Sequence, residues 1–296
     1  MNRRTFLLSP AAGTLLRGAD QPKSARIGIS TWSFHNFFAT TRDEGLPPLS
    51  GKSWDVLDYP EMIADRYHVH EMEIVAPHFA SMEPSYIREV KSRLERAHSR
   101  VVNIPVDIKE LWEAGGLSDP NPKVREAGIA ACKKWIDFAR ELGAKSVRCD
   151  PGKINTADLK PTIASYKALA SYGATKGIFV IIENHGGVGS EHPEELVELF
   201  KAVGANCGAL PDFGNFPDEA TREKGLKLLF PHARTICHAK GLKFDDKGNE
   251  TMFDFAQCVK TSKAAGFKGV YSIEFEGEGD PHAGVQHVVD ELRRYL

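Results

Sequence analysis

The 296-residue chain has no long hydrophobic run and almost no net charge. No stretch of about eighteen uncharged apolar residues occurs, so nothing in the sequence would span a bilayer as a permanent helix. Its 38 lysine and arginine residues nearly balance its 40 aspartate and glutamate residues, which leaves a net charge of −2. This balance provides no basic surface for a phosphate backbone. We therefore expect neither a membrane nor a nucleic acid as a partner of the mature protein.

Cysteine is also scarce, and its pattern excludes the common cysteine-based sites. There are five cysteines, an odd number, and no two of them have the CxxC spacing of zinc or redox motifs. Each falls in a predicted strand or helix, which favours buried free thiols over disulfides. The residues are Cys132, Cys149, Cys207, Cys237 and Cys258.

A pair of arginines, Arg3 and Arg4, distinguishes the first nineteen residues from the rest of the chain. The pair precedes a Phe-Leu dipeptide and a short apolar stretch, a pattern that resembles a twin-arginine export signal. We expect residues 1–19 to be removed on export to the periplasm, followed by a linker at 20–25 and one folded domain at 26–296. The alternative is that this segment is a basic amphipathic start of the folded domain, in which case the protein stays in the cytoplasm.

After residue 25, short β-branched runs alternate with longer segments of helical periodicity, which indicates a parallel sheet with crossover helices. Eight runs are found, and they begin at Ile27, Met72, Val101, Ser146, Phe179, Cys207, Thr235 and Val270. The clearest helix is predicted at Val124–Leu142, where Gly143 ends it. Other helices are predicted at 83–98, 158–176, from 194 after Pro193, and near 281–295. Eight strand and helix pairs predict a (β/α)8 TIM barrel, because a doubly wound sheet would normally carry a glycine-rich loop after its first strand.

One predicted connection is unusually long. Residues 35–59 show no strong periodicity and follow the first strand, so they belong to the face where barrel active sites are built. Loops of this length inside a compact domain are usually lids or binding loops, and the alternative is an insertion without a role in the site.

Polar side chains end four consecutive predicted strands. These residues, one from each of strands five to eight, are Glu183, Asp212, His238 and Glu274. Taken singly, each has an ordinary explanation as a helix cap, a salt-bridge partner or a core histidine. Together they lie at the same mouth of a barrel, where one shared cation would compensate three carboxylates. Three oxygen ligands and one nitrogen suit Mn²⁺ first, with Mg²⁺, Co²⁺ or Zn²⁺ as alternatives.

This combination of barrel and ligand pattern resembles the xylose isomerase-like superfamily of sugar isomerases and epimerases, over residues 26–296. The resemblance implies that the four residues hold one metal, which binds two neighbouring oxygens of a hydroxy-ketone. It also implies that Glu183 and Glu274 move the proton. A metal-polarised carbonyl acidifies the adjacent C–H and stabilises the resulting enediolate, so that two carboxylates can serve as base and acid.

Two positions depart from the ketose 3-epimerases of that superfamily. Asn215 stands three residues after Asp212, where those enzymes carry histidine, and Lys240 and Lys243 follow His238 where they carry arginine. Since these residues contact substrate oxygens in the relatives, the changes argue against a typical free-ketose epimerase. An exported protein seldom meets sugar phosphates, and no glycine-rich phosphate cradle is evident. We expect a free sugar, a keto-sugar or a glycoside derivative as the substrate.

Further candidates surround the four ligands. His185 follows Glu183 in the motif Glu-Asn-His-Gly-Gly and is a candidate acid, base or donor to the substrate, or else a loop cap. Lys240 is a candidate for neutralising an oxyanion, unless it is solvated. Additional candidates at the mouth, for supporting contacts or for stacking on a sugar, are His78, Arg148, Asp150, Glu276, Trp32 and Phe34.

The leading hypothesis is a divalent-metal-dependent sugar isomerase or epimerase that acts on a non-phosphorylated sugar or keto-sugar through a metal-bound enediolate. Elimination from the same intermediate would make the protein a keto-glycoside lyase or dehydratase, and Asn215 and His185 motivate this alternative. A third hypothesis is a non-catalytic, metal-dependent sugar-binding protein. Related barrel endonucleases bind a larger zinc cluster and DNA, which the near-neutral charge disfavours. A small sugar is the expected ligand, and homo-oligomer assembly is left open.

Overall fold

A ring of eight parallel strands forms the centre of the protein. The computed structural model describes residues 23–296, and the twin-arginine pattern lies outside the described residues. The strands are β1 (Ile27–Ser30), β2 (Glu71–Glu73), β3 (Arg100–Val106), β4 (Ser146–Cys149), β5 (Phe179–Glu183), β6 (Cys207–Leu210), β7 (Ile236–Gly241) and β8 (Val270–Phe275). All eight predicted strands are confirmed, and so is the (β/α)8 TIM barrel fold.

The strands follow one another around the sheet in the order β6-β5-β4-β3-β2-β1-β8-β7. The remaining neighbours, β6 and β7, close the barrel through two parallel bridges, Ala209 with Ala233 and Asp212 with His238. At the second bridge, the His238 amide donates a hydrogen bond of 2.9 Å to the carbonyl of Pro211. The seam that closes the barrel therefore contains two of the four predicted metal ligands.

Helices surround the barrel wherever the sequence shows helical periodicity. They are α1 (Tyr59–Tyr67), α2 (Pro84–Arg96), α3 (Lys109–Trp112), α4 (Pro122–Leu142), α5 (Lys160–Lys176), α6 (Gly187–Glu191), α7 (Pro193–Val203), α8 (Glu219–Leu229), α9 (Phe255–Ala264) and α10 (Pro281–Tyr295). Helix α4 begins two residues before the predicted start because the Asn121 side chain accepts a hydrogen bond from the Lys123 amide and Pro122 follows this cap. It ends at Gly143, whose φ of 78° lies in the left-handed region.

The long connection after β1 lies at the carboxyl end of the barrel, as predicted, and aromatic contacts tie it down. The rings of Phe37 and Trp54 stack with centroids 4.7 Å apart, and the Trp54 amide donates to the Phe37 carbonyl at 2.9 Å. Phe38 stacks on His78 at 3.8 Å. These contacts anchor both ends of the loop, whereas most of residues 39–52 are exposed. A role as a lid remains a prediction.

The five cysteines are free thiols, as predicted. Four of them are buried and Cys207 is half-buried. Among residues 23–296, no helix combines the length and the apolar character needed to cross a membrane.

A buried carboxyl on α10 makes the stability of the barrel depend on pH. Glu291 is 2% exposed and accepts a hydrogen bond of 3.1 Å from the amide of Glu250, whose own carboxylate is buried beside it. Burial raises the pKa of Glu291 from 4.5 to about 7, and the negative charge of Glu250 acts in the same direction. The folded state therefore holds a proton that the unfolded chain releases. The stabilisation that protonated Glu291 contributes is fully present below pH ~4.5 and is lost as the pH rises through 7.

We expect Glu291→Gln to remove this loss, since glutamine keeps an acceptor for the Glu250 amide without a charge. The variant should match the wild type at pH 4.5 and unfold with a free energy about 1–3 kcal/mol larger at pH 8. Urea denaturation at both pH values measures the difference, with Asp290→Asn, an exposed neighbour on the same helix, as the control. Equal stability of wild type and variant at pH 8 would show that ionisation of Glu291 does not cause the loss of stability.

Candidate metal centre

Strand register brings the four predicted ligands to one height at the carboxyl mouth. Glu183 is the last residue of β5, and Asp212 follows β6 by two residues. His238 is the third of the six residues of β7, and Glu274 is the fifth of the six residues of β8. Asp212 pairs with His238 across the closing seam, and Glu274 pairs with Lys240 across β7 and β8. One ligand atom from each of the four predicted residues lies within 4.8 Å of the others, and all four residues are buried.

The imidazole of His238 lies at the centre of this group. Its Nδ1 atom is 3.0 Å from Glu183 Oε1, 3.3 Å from Asp212 Oδ2 and 3.2 Å from Glu274 Oε2. The Oδ2 atom of Asp212 is buried and accepts no hydrogen bond from residues 23–296, although the ammonium of Lys240 is 3.1 Å away. Three converging carboxylates, one imidazole and this unsatisfied oxygen match the donor set of a divalent metal site. These residues can hold one divalent ion.

Asp212 is positioned through its backbone and through its second oxygen. The side chain of Asn184, which is fully buried, accepts a hydrogen bond from the Asp212 amide at 2.8 Å and donates to the Asp212 carbonyl at 3.1 Å. The amides of Gly214 and Asn215 donate to Asp212 Oδ1 at 2.6 and 2.9 Å. A Cβ atom at Gly214 would lie only 2.5 Å from Cγ of Lys240, so glycine is needed there. Oδ2 is thereby directed toward the other ligands.

A fourth buried carboxylate, Glu73 of β2, supports His238, the histidine among the predicted ligands. Its Oε2 atom lies 2.9 Å from His238 Nε2 and accepts a hydrogen bond from Ser272 at 2.8 Å, while Oε1 accepts one from Asn103 at 2.6 Å. Holding Nε2 leaves Nδ1 to face the other carboxylates, which fixes the orientation of the ring. Glu73 was not among the residues predicted from the sequence. The available signal was an acidic residue between the apolar residues Met72 and Ile74 of a predicted strand.

The network continues down the inside of the barrel. The Ser146 hydroxyl donates to Asn103 Oδ1 at 2.7 Å and lies 2.9 Å from the Thr235 hydroxyl. Asn103 and Ser146 are both fully buried. Because each of these polar groups is paired, the chain that runs from Thr235 through Asn103 holds the carboxylate of Glu73 in place without an unpaired neighbour.

The two candidate proton-carrying glutamates differ in their electrostatic surroundings. Burial would raise the pKa of Glu183, but the charges of His238 and Arg148 outweigh it and hold that pKa well below the ordinary value. Burial raises the pKa of Glu274 to about 7, although the charges of His238 and Lys240 oppose the shift. The ammonium of Lys240 is buried and lies 2.8 Å from Glu274 Oε2 and 3.1 Å from Glu276 Oε1. Lys240 therefore faces the mouth, where the sequence analysis expected it.

A cavity of about 170 Å³ adjoins the ligands, and we call it the metal chamber. Its lining residues are Trp32, Val75, Asp107, Trp112, Arg148, Glu183, His185, Lys240, Glu274 and Glu276. Arg148 contacts Asp107 at 2.9 Å and Glu183 at 3.2 Å. His185 Nδ1 lies 3.3 Å from Asp150 Oδ2, and this hydrogen bond raises the pKa of His185 to about 9, although partial desolvation opposes the shift.

Four of the other predicted mouth residues do contact the site. Arg148 and Asp150 do so as described above. Glu276 accepts a hydrogen bond of 2.7 Å from the indole of Trp32, and both line the metal chamber. Asn215, at the position where the 3-epimerases carry histidine, donates to Glu183 Oε1 at 3.0 Å.

Three residues lie elsewhere. His78 is buried behind the loop after β1, where its ring nitrogens contact the hydroxyls of Thr31 and Thr41 at 2.8 and 2.7 Å, so the expected place at the mouth is wrong. Phe34 is 1% exposed and packs under that loop, which excludes it from stacking on a sugar. Lys243 is exposed and does not line the metal chamber.

A TIM barrel with a buried cluster of three carboxylates and one imidazole at its carboxyl mouth defines a class of metal-binding α/β barrels. The family model described as "xylose isomerase-like TIM barrel" matches residues 64–295, and this chain belongs to that family. The resemblance inferred from the sequence is confirmed.

Individual relatives are distant. The chain is 23% identical, over 271 residues that cover 85% of each protein, to an inosose dehydratase from Glaesserella parasuis serovar 5. It shares its fold with a D-psicose 3-epimerase from Clostridium cellulolyticum H10, solved with D-tagatose, at a TM-score of 0.68, 15% identity, and coverage of 92% and 99%. A xylose isomerase-like protein from Mycobacterium smegmatis, solved in complex with magnesium, gives a TM-score of 0.65, 15% identity, and coverage of 92% and 97%.

We expect Glu183→Gln and Asp212→Asn to lose most of the divalent ion that the wild type retains, because each removes a charged ligand from a buried set. Elemental analysis after gel filtration should find about one ion per wild-type chain and identify it among Mn²⁺, Mg²⁺, Co²⁺ and Zn²⁺. Glu276→Gln, which changes a chamber carboxylate outside the ligand group, should keep its ion. Full occupancy in both ligand variants would rule out this ligand set.

We expect Glu73→Gln to weaken Mn²⁺ binding about 10- to 100-fold, since the ligand imidazole loses the carboxylate that orients it and makes it more basic. Competition with a fluorescent chelator measures the affinity. The control is Glu71→Gln, which makes the same change two residues earlier on β2, where the buried carboxylate pairs with Arg100 instead. A Glu73→Gln protein that is folded and binds Mn²⁺ as tightly as the control would argue against a supporting role for Glu73.

Proposed function

We propose that this protein is a divalent-metal-dependent enzyme that removes a proton from the carbon next to the carbonyl of a non-phosphorylated sugar or keto-sugar, and returns it as an isomerase or epimerase. The observation that carries the proposal is that Glu183 and Glu274 both reach the metal chamber from different strands while belonging to one buried ligand group. A divalent ion held by this group supplies Lewis acidity, which polarises the carbonyl and stabilises the negative charge left by the departing proton.

The two glutamates have the geometry for proton transfer. Each directs one oxygen toward His238 and keeps the other outside that contact. Glu183 Oε2 lies 3.2 Å from Arg148, and Glu274 Oε1 accepts a hydrogen bond from the Ser30 hydroxyl at 3.3 Å. Two carboxylates held at different positions around one substrate carbon can act as base and acid in turn.

Charge pairing in the chamber favours a substrate without phosphate. Both lysine and arginine side chains in its lining, Lys240 and Arg148, already contact two or more carboxylates each. Asp107 and Glu276 add further negative charge. A phosphate would therefore find no unpaired lysine or arginine in the chamber and would be repelled by its carboxylates.

Elimination is the second candidate, and the pairing of His185 with Asp150 favours it. In this reaction the base takes the C–H proton, and the electron pair of that bond forms a C=C bond. The C–O bond at the β carbon breaks, and the departing oxygen takes those electrons together with a proton. His185, oriented by Asp150 at 3.3 Å, is the proposed donor of that proton. The relatives, a dehydratase and a ketose epimerase by name, support the shared first step because both reactions begin beside a carbonyl.

Incubation in D₂O with D-tagatose, D-fructose and methyl 3-keto-glucopyranoside tests both candidates. We expect deuterium at the carbon next to the carbonyl of at least one substrate. If elimination follows, His185→Ala should slow it about 10²–10⁴-fold while sparing the exchange. His192→Ala, an exposed histidine outside the chamber, is the matched control and should change neither rate.

Two results would count against these roles. Elimination at the wild-type rate in His185→Ala removes His185 as the acid. Turnover of a substrate without exchange and without a primary isotope effect at that carbon excludes proton abstraction.

A further inference from the structure

A second cavity of about 370 Å³, which we call the Trp112 cavity, adjoins the metal chamber. The two share three lining residues, Trp112, Glu183 and His185. At about 170 Å³, the chamber is smaller than the ~300–1,000 Å³ of pockets for drug-sized ligands, so it suits a single sugar ring. A substrate with a second bulky group would extend into the adjoining space.

Trp112 gives this cavity a flat apolar wall. It is the last residue of α3, and its side chain is 46% exposed, whereas the preceding Leu111 is fully buried and anchors the segment. The rings of Trp112 and His185 are nearly perpendicular, at 77°, with centroids 5.5 Å apart. An exposed indole beside a sugar site offers a large, rigid surface for stacking a ring.

Backbone contacts hold the Trp112 cavity in shape. The Lys153 amide donates to the Gly115 carbonyl at 3.2 Å, which ties the loop after β4 to the loop after β3. A Cβ atom at Gly152 would lie only 2.4 Å from the Gly115 oxygen, so glycine permits this close approach. The contact keeps Trp112 and Ile154 on the rim of the same cavity, which is therefore formed before a ligand arrives.

The position of His185 determines what the second cavity would hold. His185 lines both cavities. If the C–O bond that breaks lies beside His185, the reacting sugar is in the metal chamber and the substituent that leaves is in the Trp112 cavity. Much of the remaining lining is apolar or backbone, at Gly152, Ile154 and 186–189, and Asp150 and Lys153 add charged groups to it. This lining fits the flat face of an aromatic ring or of a second pyranose.

We propose that the Trp112 cavity is a subsite for the aglycone of a glycoside, with the keto-sugar ring in the metal chamber and the aglycone stacked on Trp112. This proposal rests on the proposed function, whose substrate class it narrows from sugars in general to glycosides with a ring-shaped aglycone.

Calorimetric titration of the metal-loaded protein tests the subsite without turnover. The three ligands are methyl β-D-glucopyranoside, phenyl β-D-glucopyranoside and cellobiose. The wild type should bind the phenyl glucoside, the cellobiose or both about 10-fold more tightly than the methyl glucoside. Trp112→Ala should abolish the preference, so that the three ligands bind with equal affinity, and Trp112→Phe should restore most of it. Met252→Ala, an exposed apolar residue in a different cavity, is the matched control and should leave the preference intact.

Equal affinity of the wild type for all three ligands would overturn the subsite, and so would a preference that survives in Trp112→Ala. Deuterium exchange with methyl 3-keto-glucopyranoside tests the proposed function separately, because that substrate has no ring in the Trp112 cavity. Exchange without an aglycone preference contradicts the subsite alone. A preference that depends on Trp112, without exchange, supports a glycoside site and contradicts the proposed chemistry.

Discussion

Four buried carboxylates around one buried imidazole are the constraint on which the site depends. Glu73, Glu183, Asp212 and Glu274 all lie within reach of His238, and each is at most 5% exposed. Removing that many charges from water costs several kcal/mol per ion unless positive charge and hydrogen bonds compensate it. Protein cations provide part of this compensation on the chamber side, and a divalent ion would provide the rest. Each hydrogen bond to these carboxylates therefore has a structural purpose as well as a chemical one.

The barrel supplies the required precision because parallel strands deliver successive side chains at one height. Asp212 and His238 are register partners across the seam that closes the sheet, so closing the barrel and assembling the site are the same event. The interior below is partly polar, with Asn103 and Ser146 joining β3 to β4 and leading to Glu73. A barrel filled only with aliphatic side chains would pack as well, but it would leave the ligand imidazole free to rotate.

In the proposed function the same ligand group and the same pair of glutamates would serve either reaction, and the surroundings would decide between them. Return of the proton requires only the second carboxylate. Loss of a substituent requires an acid beside the departing oxygen and space for the group that leaves. His185 and the Trp112 cavity lie next to one another on the side of the chamber away from β7 and β8. Asn215, which replaces the histidine of the 3-epimerases, contacts a ligand glutamate and helps to orient it.

The sequence by itself determined the eight strands, the barrel and the residues of the ligand group, because alternating periodicity and a polar residue at a strand end are local signals. Only the tertiary structure decided which side chains contact these residues. In the sequence Glu73 is an ordinary strand residue, and its role is visible only from its contact with His238, which is 165 positions away. His78 lies five residues after β2, in a segment where a site residue was expected, yet the loop after β1 covers it. Trp112 is part of the site only because the fold places it beside His185. Such contacts join distant segments, and their free energy depends on burial and distance that no local pattern contains.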